Sequence, residues 1–183
     1  MTNSNTRSEF KAKLLRPEKS GGGSPYAFVL LPKSASEKLP RRGRTTVEGS
    51  INGHSFKTTL EPDGKLSHWL QIDKELLEAA GAEIGDLAAF EIVSAKKESE
   101  PQTPSDLLEA LAASPKALAA WEETTTIARI DWVHWIVSAK QAKTRMQRIE
   151  NACDMLSSGK LRVCCFDPSG FYSKALSAPK VAD

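Results

Sequence analysis

Three histidines, three cysteines and the sequence Ser157-Ser158-Gly159-Lys160 are the places where this 183-residue chain offers reactive or ligating groups. His54 follows an Asn-Gly pair and is expected in solvent. His68, in LSHWL, alternates with Leu66 and Leu70, so strand geometry turns it toward an interior. There it would be a hydrogen-bonded interior ring or, in a cavity, a base. Cys153, Cys164 and Cys165 form neither a C-x-x-C pair nor a finger spacing, and adjacent cysteines fit poorly around one tetrahedral zinc. No metal and no cofactor are expected. Arg162 beside Cys164-Cys165 would lower a thiol pKa, whereas Cys153 lies on an apolar helix face and packs as a small hydrophobe. The motifs G-x-S-x-G, H-E-x-x-H and G-x-x-x-x-G-K-[ST] and the dinucleotide fingerprint do not occur. The chain does not read as an enzyme.

SSGK invites a phosphate-loop reading, but polarity opposes it. Such a loop precedes a helix, whose first amides face the anion. Here an amphipathic run, with Met146, Ile149, Cys153 and Leu156 on one face, comes first, and Gly159 stands where a left-handed residue would end it. SGGGSP, residues 20–25, fails likewise, being followed by Pro25 and a strand. Lys140, Lys143, Arg145, Arg148, Lys160 and Arg162 remain, against Glu150 and Asp154. They read first as a solvated helix face and second as a polyanion surface.

The elements that must position these residues fall into two blocks. Ser8 to Val93 reads as strands: EFKAKL alternates, YAFVLL is a short apolar run, and TTVEGSINGHSFKTTL is a hairpin on Asn52-Gly53. EPDG turns into KLSHWLQI. Asp73 caps the helical turn KELLEAA, Gly81 stops it, and LAAFEIV returns. These features predict a closed barrel of six or seven strands with one short helix over 8–95, without exposed edges. Residues 96–104, charged and proline-containing, read as a linker. Helices follow over 105–160: Thr103, Pro104 and Asp106 fit a capped start, Ser114-Pro115 another, and IARIDWVHWIVSAK a mostly buried helix. Residues 161–183 are expected to be an irregular or flexible tail. The fold class is α+β, a small closed barrel before an all-helical segment.

Composition narrows the class. Forty per cent hydrophobic with 26% charged residues describes a globular chain. A net charge of +2, from 25 basic and 23 acidic residues, implies no polyanion partner by itself. MTNSNTRSEF has no apolar core of a signal peptide, and no apolar run is long enough to span a bilayer, so no membrane insertion is expected. Three cysteines, an odd number, do not make a disulfide framework, and a cytoplasmic location is expected.

At RGRTTVEGSINGHSFKTTLEPDGKLSHWLQIDKELLEAAGAEIGD the chain closely resembles a bacterial domain of unknown function that forms a small β-barrel. The matching positions include Arg44, Val47, Gly49, Asn52, Gly53, Phe56, Leu60, His68, Gly85 and Asp86. Further on, Trp135-Ile136, Ala139-Lys140, Thr144-Arg145, Arg148-Ile149, Leu156 and Gly159-Lys160 resemble the C-terminal segment of the YdeI/OmpD-associated, or bacteriocin-protection, family. Gln141-Ala142-Lys143 departs from it, since a proline is common there. The resemblance implies a non-enzymatic protein that acts by binding an unknown protein or small ligand. The binding residues it selects are Arg44, Asn52, His68, Lys140, Arg145, Arg148 and Lys160. Two alternatives stay open. One is a nucleic-acid regulator using the basic residues at 38–44 and 140–162, since LQIDKELLEAAGAEIGD is similar to an element of AbrB-like regulators. The other is an enzyme or ligand carrier built around His68 in the barrel interior.

Overall fold

The computed structural model describes residues 6–19, 26–164 and 166–183. SGGGSP, part of MTNSNTRSEF and Cys165 lie outside the described residues. The chain forms two compact units, one of residues up to Lys97 together with Ser169–Asp183, the other Glu98–Pro168.

The first unit is a curled antiparallel sheet. Its strands are β1 (Ser8–Lys13), β2 (Tyr26–Leu30), β3 (Thr45–Ile51), β4 (His54–Pro62), β5 (His68–Asp73) and β6 (Leu87–Ser94), in the order β1-β6-β3-β4-β5-β2. Alternation supplies the core: Val29, Val47, Ile51, Leu60, Leu70, Ile72, Phe90 and Ile92 point inward and are buried, while Glu48 and Lys57 face solvent. The expected closed barrel is observed as a six-stranded half-barrel. Its end strands meet at one isolated bridge, Leu15↔Phe28, where each backbone donates to the other at 2.9 and 3.0 Å. The hairpin is as read: Asn52 and Gly53 have φ of 49° and 83°, as a type I′ turn requires. Asp73 caps α2 (Lys74–Ala79) by accepting from the Leu76 amide at 2.8 Å, and Gly81 ends it at φ 64°. The helix α1 (Lys33–Glu37), between Pro32 and Leu39, was not expected.

Of residues 161–183, expected to be an irregular or flexible tail, those from Ser169 on are irregular but tied to this first unit. The Glu18 amide donates to Lys180 O at 2.7 Å and the Ala182 amide to Arg16 O at 2.8 Å. The Leu176 carbonyl passes so close to Gly64 that a β-carbon there would lie 2.1 Å from its oxygen. Nothing in SKALSAPKVAD signals this, because backbone pairing and a glycine's missing side chain leave no apolar pattern.

The second unit holds α3 (Ser105–Ala112), α4 (Pro115–Glu123), α5 (Thr126–Val137) and α6 (Ala142–Ser157). Short helices need tertiary support, and these bury Leu107, Leu111, Ala117, Trp121, Trp132, Ile136, Ile149, Ala152 and Leu156 together. The α3 cap is Pro104 rather than Thr103, with no side-chain bond. Met146, placed on the apolar face by spacing, is 65% exposed; Ala152 completes that face instead. Gly159, at φ 91°, ends α6: its amide bonds Leu156 O, and the Lys160 amide bonds Met155 O, both at 3.0 Å.

Candidate functional site

His68 is wholly buried and both its nitrogens are engaged. Nε2 lies 2.8 Å from Gly43 O, which can only accept, so Nε2 carries the hydrogen. Nδ1 of the neutral ring then accepts from the Ser36 hydroxyl at 2.7 Å. α1 places Ser36 there, and Arg42 holds it. The Arg42 guanidinium donates to Ser36 Oγ (3.1 Å), Ser36 O (2.7 Å), Leu39 O (2.8 Å) and Leu66 O (3.2 Å). Burial lowers the His68 pKa; the Gly43 bond opposes that, Arg42 reinforces it, and Asp63 opposes it. A serine hydroxyl on a neutral imidazole has the makings of a nucleophile, but Ser36 is also fully buried. Ser36 escaped the sequence reading, its available signal a polar SAS between Pro32 and Pro40, and Arg42 entered it only among the basic residues at 38–44.

The other selected residues are dispersed. Arg44 Nε donates to Glu61 at 2.9 Å across the β3–β4 pair. Asn52 bonds the Ala89 backbone through both its amide (2.8 Å) and Oδ1 (2.9 Å), extending the β3–β6 ladder by one rung. Arg145 makes a two-pronged pair with Asp106 in the first turn of α3, at 2.7 and 3.1 Å. Arg145's hydrogen bond holds the Asp106 carboxyl below its ordinary range. Arg148 donates to Trp135 O, an end carbonyl of α5, and to Ser138 Oγ at 3.2 Å, and lies 5.6 Å from the Trp135 ring. So Arg145 finds its carboxylate in Asp106 and Arg148 its partners at the end of α5. Lys140, Lys143, Lys160 and Arg162 are exposed, at the two ends of α6. Its 16 residues separate those ends by roughly 24 Å, with exposed Glu150 and Asp154 on the wet side between them. Burial raises the Cys153 pKa, and Cys164 is exposed. Among the described residues no group of three His, Cys, Asp or Glu could hold a metal ion, and no helix is long and apolar enough to cross a membrane.

A place that sequence spacing did not select is a seam in the half-barrel. β4 pairs with β5 only at Glu61↔Trp69 and Pro62↔His68. Continuing that register would join Thr59 to Gln71 and Lys57 to Asp73, yet among the described residues the strands diverge there. The seam is a cleft of about 450 Å³ lined by His54, Phe56, Lys57 and Thr58 of β4, Gln71 and Asp73 of β5, and Leu76 of α2. Phe56 and Leu76, half-buried, form its apolar floor against the core. A depression of similar size, about 470 Å³, lies over Phe10, Phe90 and Ser50. There the strands beneath are fully laddered, β1 to β6 and β6 to β3.

These features define a two-part protein, an antiparallel half-barrel domain and a four-helix segment. The comparisons agree module by module. Residues 10–92 match the domain of unknown function DUF1905, and residues 100–159 match the family described as bacteriocin-protection, YdeI or OmpD-associated. The chain therefore carries a DUF1905 domain followed by a YdeI/OmpD-associated segment. No curated protein matches it.

Proposed function

We propose that this chain is a non-enzymatic, cytoplasmic binding protein of the bacteriocin-protection type, whose ligand site is the seam between β4 and β5. The observation that carries the reading is the distribution of unused binding capacity. Arg44, Asn52, His68, Arg145 and Arg148 already spend their polar groups on other parts of the protein. The seam instead combines an apolar floor with strand edges that have no ladder partner. Small-molecule and peptide sites share that mixture. The buried ring of His68 argues for a structural role over the carrier or enzyme reading. An odd count of three cysteines suits a reducing compartment. The nucleic-acid reading keeps Lys140, Lys143, Lys160 and Arg162, but they lie at opposite ends of α6, and Arg42, Arg145 and Arg148 are engaged elsewhere.

The test is survival of bacteria challenged with a bacteriocin while expressing the chain. Thr58→Trp, which fills the seam, and Lys57→Pro should abolish protection at unchanged protein level, whereas Lys140→Glu with Lys160→Glu should keep it. Loss with the lysine pair alone would move the site to the helical segment and revive the polyanion reading.

A further inference from the structure

The backbone parity of β4 and β5 says what shape of ligand the seam would take. The two-residue turn makes Ile51–His54 a closing hydrogen-bonded pair. By the period of two, His54, Phe56, Thr58 and Leu60 direct their backbone groups to β3, and Ser55, Lys57 and Thr59 direct theirs into the seam. On the other wall the Leu31 amide donates to His68 O, so His68, Leu70 and Ile72 serve β2 while Gln71 and Asp73 face β4. Two strand edges with outward N–H and C=O groups therefore face one another over the apolar floor. Backbone edges of this kind are satisfied by another strand.

We propose that the seam binds an extended polypeptide segment of a partner protein, added as a strand along the free edge of β4. This rests on the seam being the ligand site. Ser55 to Thr59 spans roughly 13 Å at about 3.3 Å per residue, so about five partner residues are engaged. Their chemistry follows from the pleat. A partner residue opposite Lys57 faces solvent with it, near Gln71 and Asp73, and its neighbours face inward onto Phe56, Thr58 and Leu76. The segment therefore alternates apolar and polar residues. A second copy of this chain is a poor occupant. Its β4 already carries β3 on one edge, and the seam, walled by β5, admits a single strand.

The experiment titrates the full-length ¹⁵N-labelled chain with the synthetic peptide acetyl-Lys-Val-Thr-Val-Thr-Val-Lys-amide. The expected result is movement of the Ser55, Lys57, Thr59 and Gln71 amide signals and slowed hydrogen exchange at them. Methylating alternate peptide nitrogens should weaken binding by about tenfold or more, the worth of one or two hydrogen bonds. Lys57→Pro removes an edge N–H that the β3 ladder does not use, so it should weaken binding similarly while the thermal midpoint holds. If that variant does not fold, the methylated peptide decides alone. Equal binding of the methylated peptide, or no movement of these amides at the solubility limit of the probe, overturns strand addition. Should seam variants still abolish protection in that case, only the strand proposal falls and the seam takes another ligand. Should the peptide bind while seam variants leave protection intact, the seam is not the protective site.

Discussion

Protonating His68 should unfasten the segment between β2 and β3, and the structure fixes the size and the sign of the effect. The neutral ring donates through Nε2 to Gly43 O and accepts at Nδ1 from Ser36. An added proton at Nδ1 meets a hydroxyl whose hydrogen points at it, with the Arg42 guanidinium on the far side of Ser36 Oγ. The serine must turn, and a second charge is buried beside the first. Burial of the ring above all, with the Arg42 charge reinforcing it, holds the folded-state pKa below the ordinary 6.5. A lowered pKa means that the unfolded chain binds more protons, so this stability is fully present above pH 6.5 and is lost as pH falls toward the folded value. One proton contributes at most about 1.4 kcal/mol per pH unit. Between pH 7.5 and 5 the ceiling is about 2 kcal/mol, reached if the folded ring takes up no proton in that range. Urea unfolding of the wild type and His68→Gln across this range checks it. The glutamine amide keeps one donor and one acceptor and does not titrate. Wild type should lose up to about 2 kcal/mol relative to the variant on acidification. Parallel pH profiles would refute the argument, as would a wild type that gains stability relative to the variant at low pH.

Other contacts give equally definite expectations. Gly64→Ala should destabilise more than Gly53→Ala, since both have positive φ but only Gly64 has the Leu176 carbonyl against it; the difference, read by thermal melts, should be about 1 kcal/mol or more, and slowed exchange at the Glu18 and Ala182 amides should be lost with it. Ile149→Ala and Leu156→Ala should each cost about 2–5 kcal/mol in chemical denaturation, as core truncations do, while the exposed Met146→Ala should change stability by about half a kcal/mol or less. Arg148→Ala should cost about 1.5–3 kcal/mol, because a charged donor to the end of α5 is lost, and Arg148→Lys should restore only part of it.

How much of this could be read from the chain depended on whether a feature is local. The Asn52-Gly53 turn, the Asp73 cap, and the stops at Gly81 and Gly159 each rest on the conformational freedom or short side chain of one residue, and each stands where spacing placed it. The burial of Ile149 and Leu156 follows from period alone, whereas that of α5 follows from a run with few charges, buried on more than one face. Met146 was misplaced for a reason of geometry. A period of 3.6 leaves two neighbouring positions on the margin of any face, and Arg145, drawn to Asp106, sets which one turns inward. His68 was correctly turned inward, but its partners Ser36 and Gly43 sit 32 and 25 positions away, beyond any pattern.

The seam was hidden more deeply, because it is a pairing that does not occur. SFKTTLEPDGKLSHWLQI reads as a hairpin along its whole length, and the register begun at Glu61↔Trp69 would carry it to Lys57↔Asp73. Side-chain alternation is unchanged whether that ladder continues or opens, since Phe56 and Thr58 point inward in either case. One asymmetry in the sequence does bear on it. β5 ends at Asp73, which leaves the strand to cap α2, and a residue that bonds the Leu76 amide commits the chain to a helix at the very point where the ladder with Lys57 would have to close. On this argument the cap and the opening are linked. Asp73→Thr, with a weaker cap and higher strand propensity, should shift the balance toward pairing and narrow the seam. Slower hydrogen exchange at the Lys57 and Thr59 amides, without any peptide present, is the expected sign; unchanged exchange would mean that the divergence is set by β2 and β3 rather than by α2.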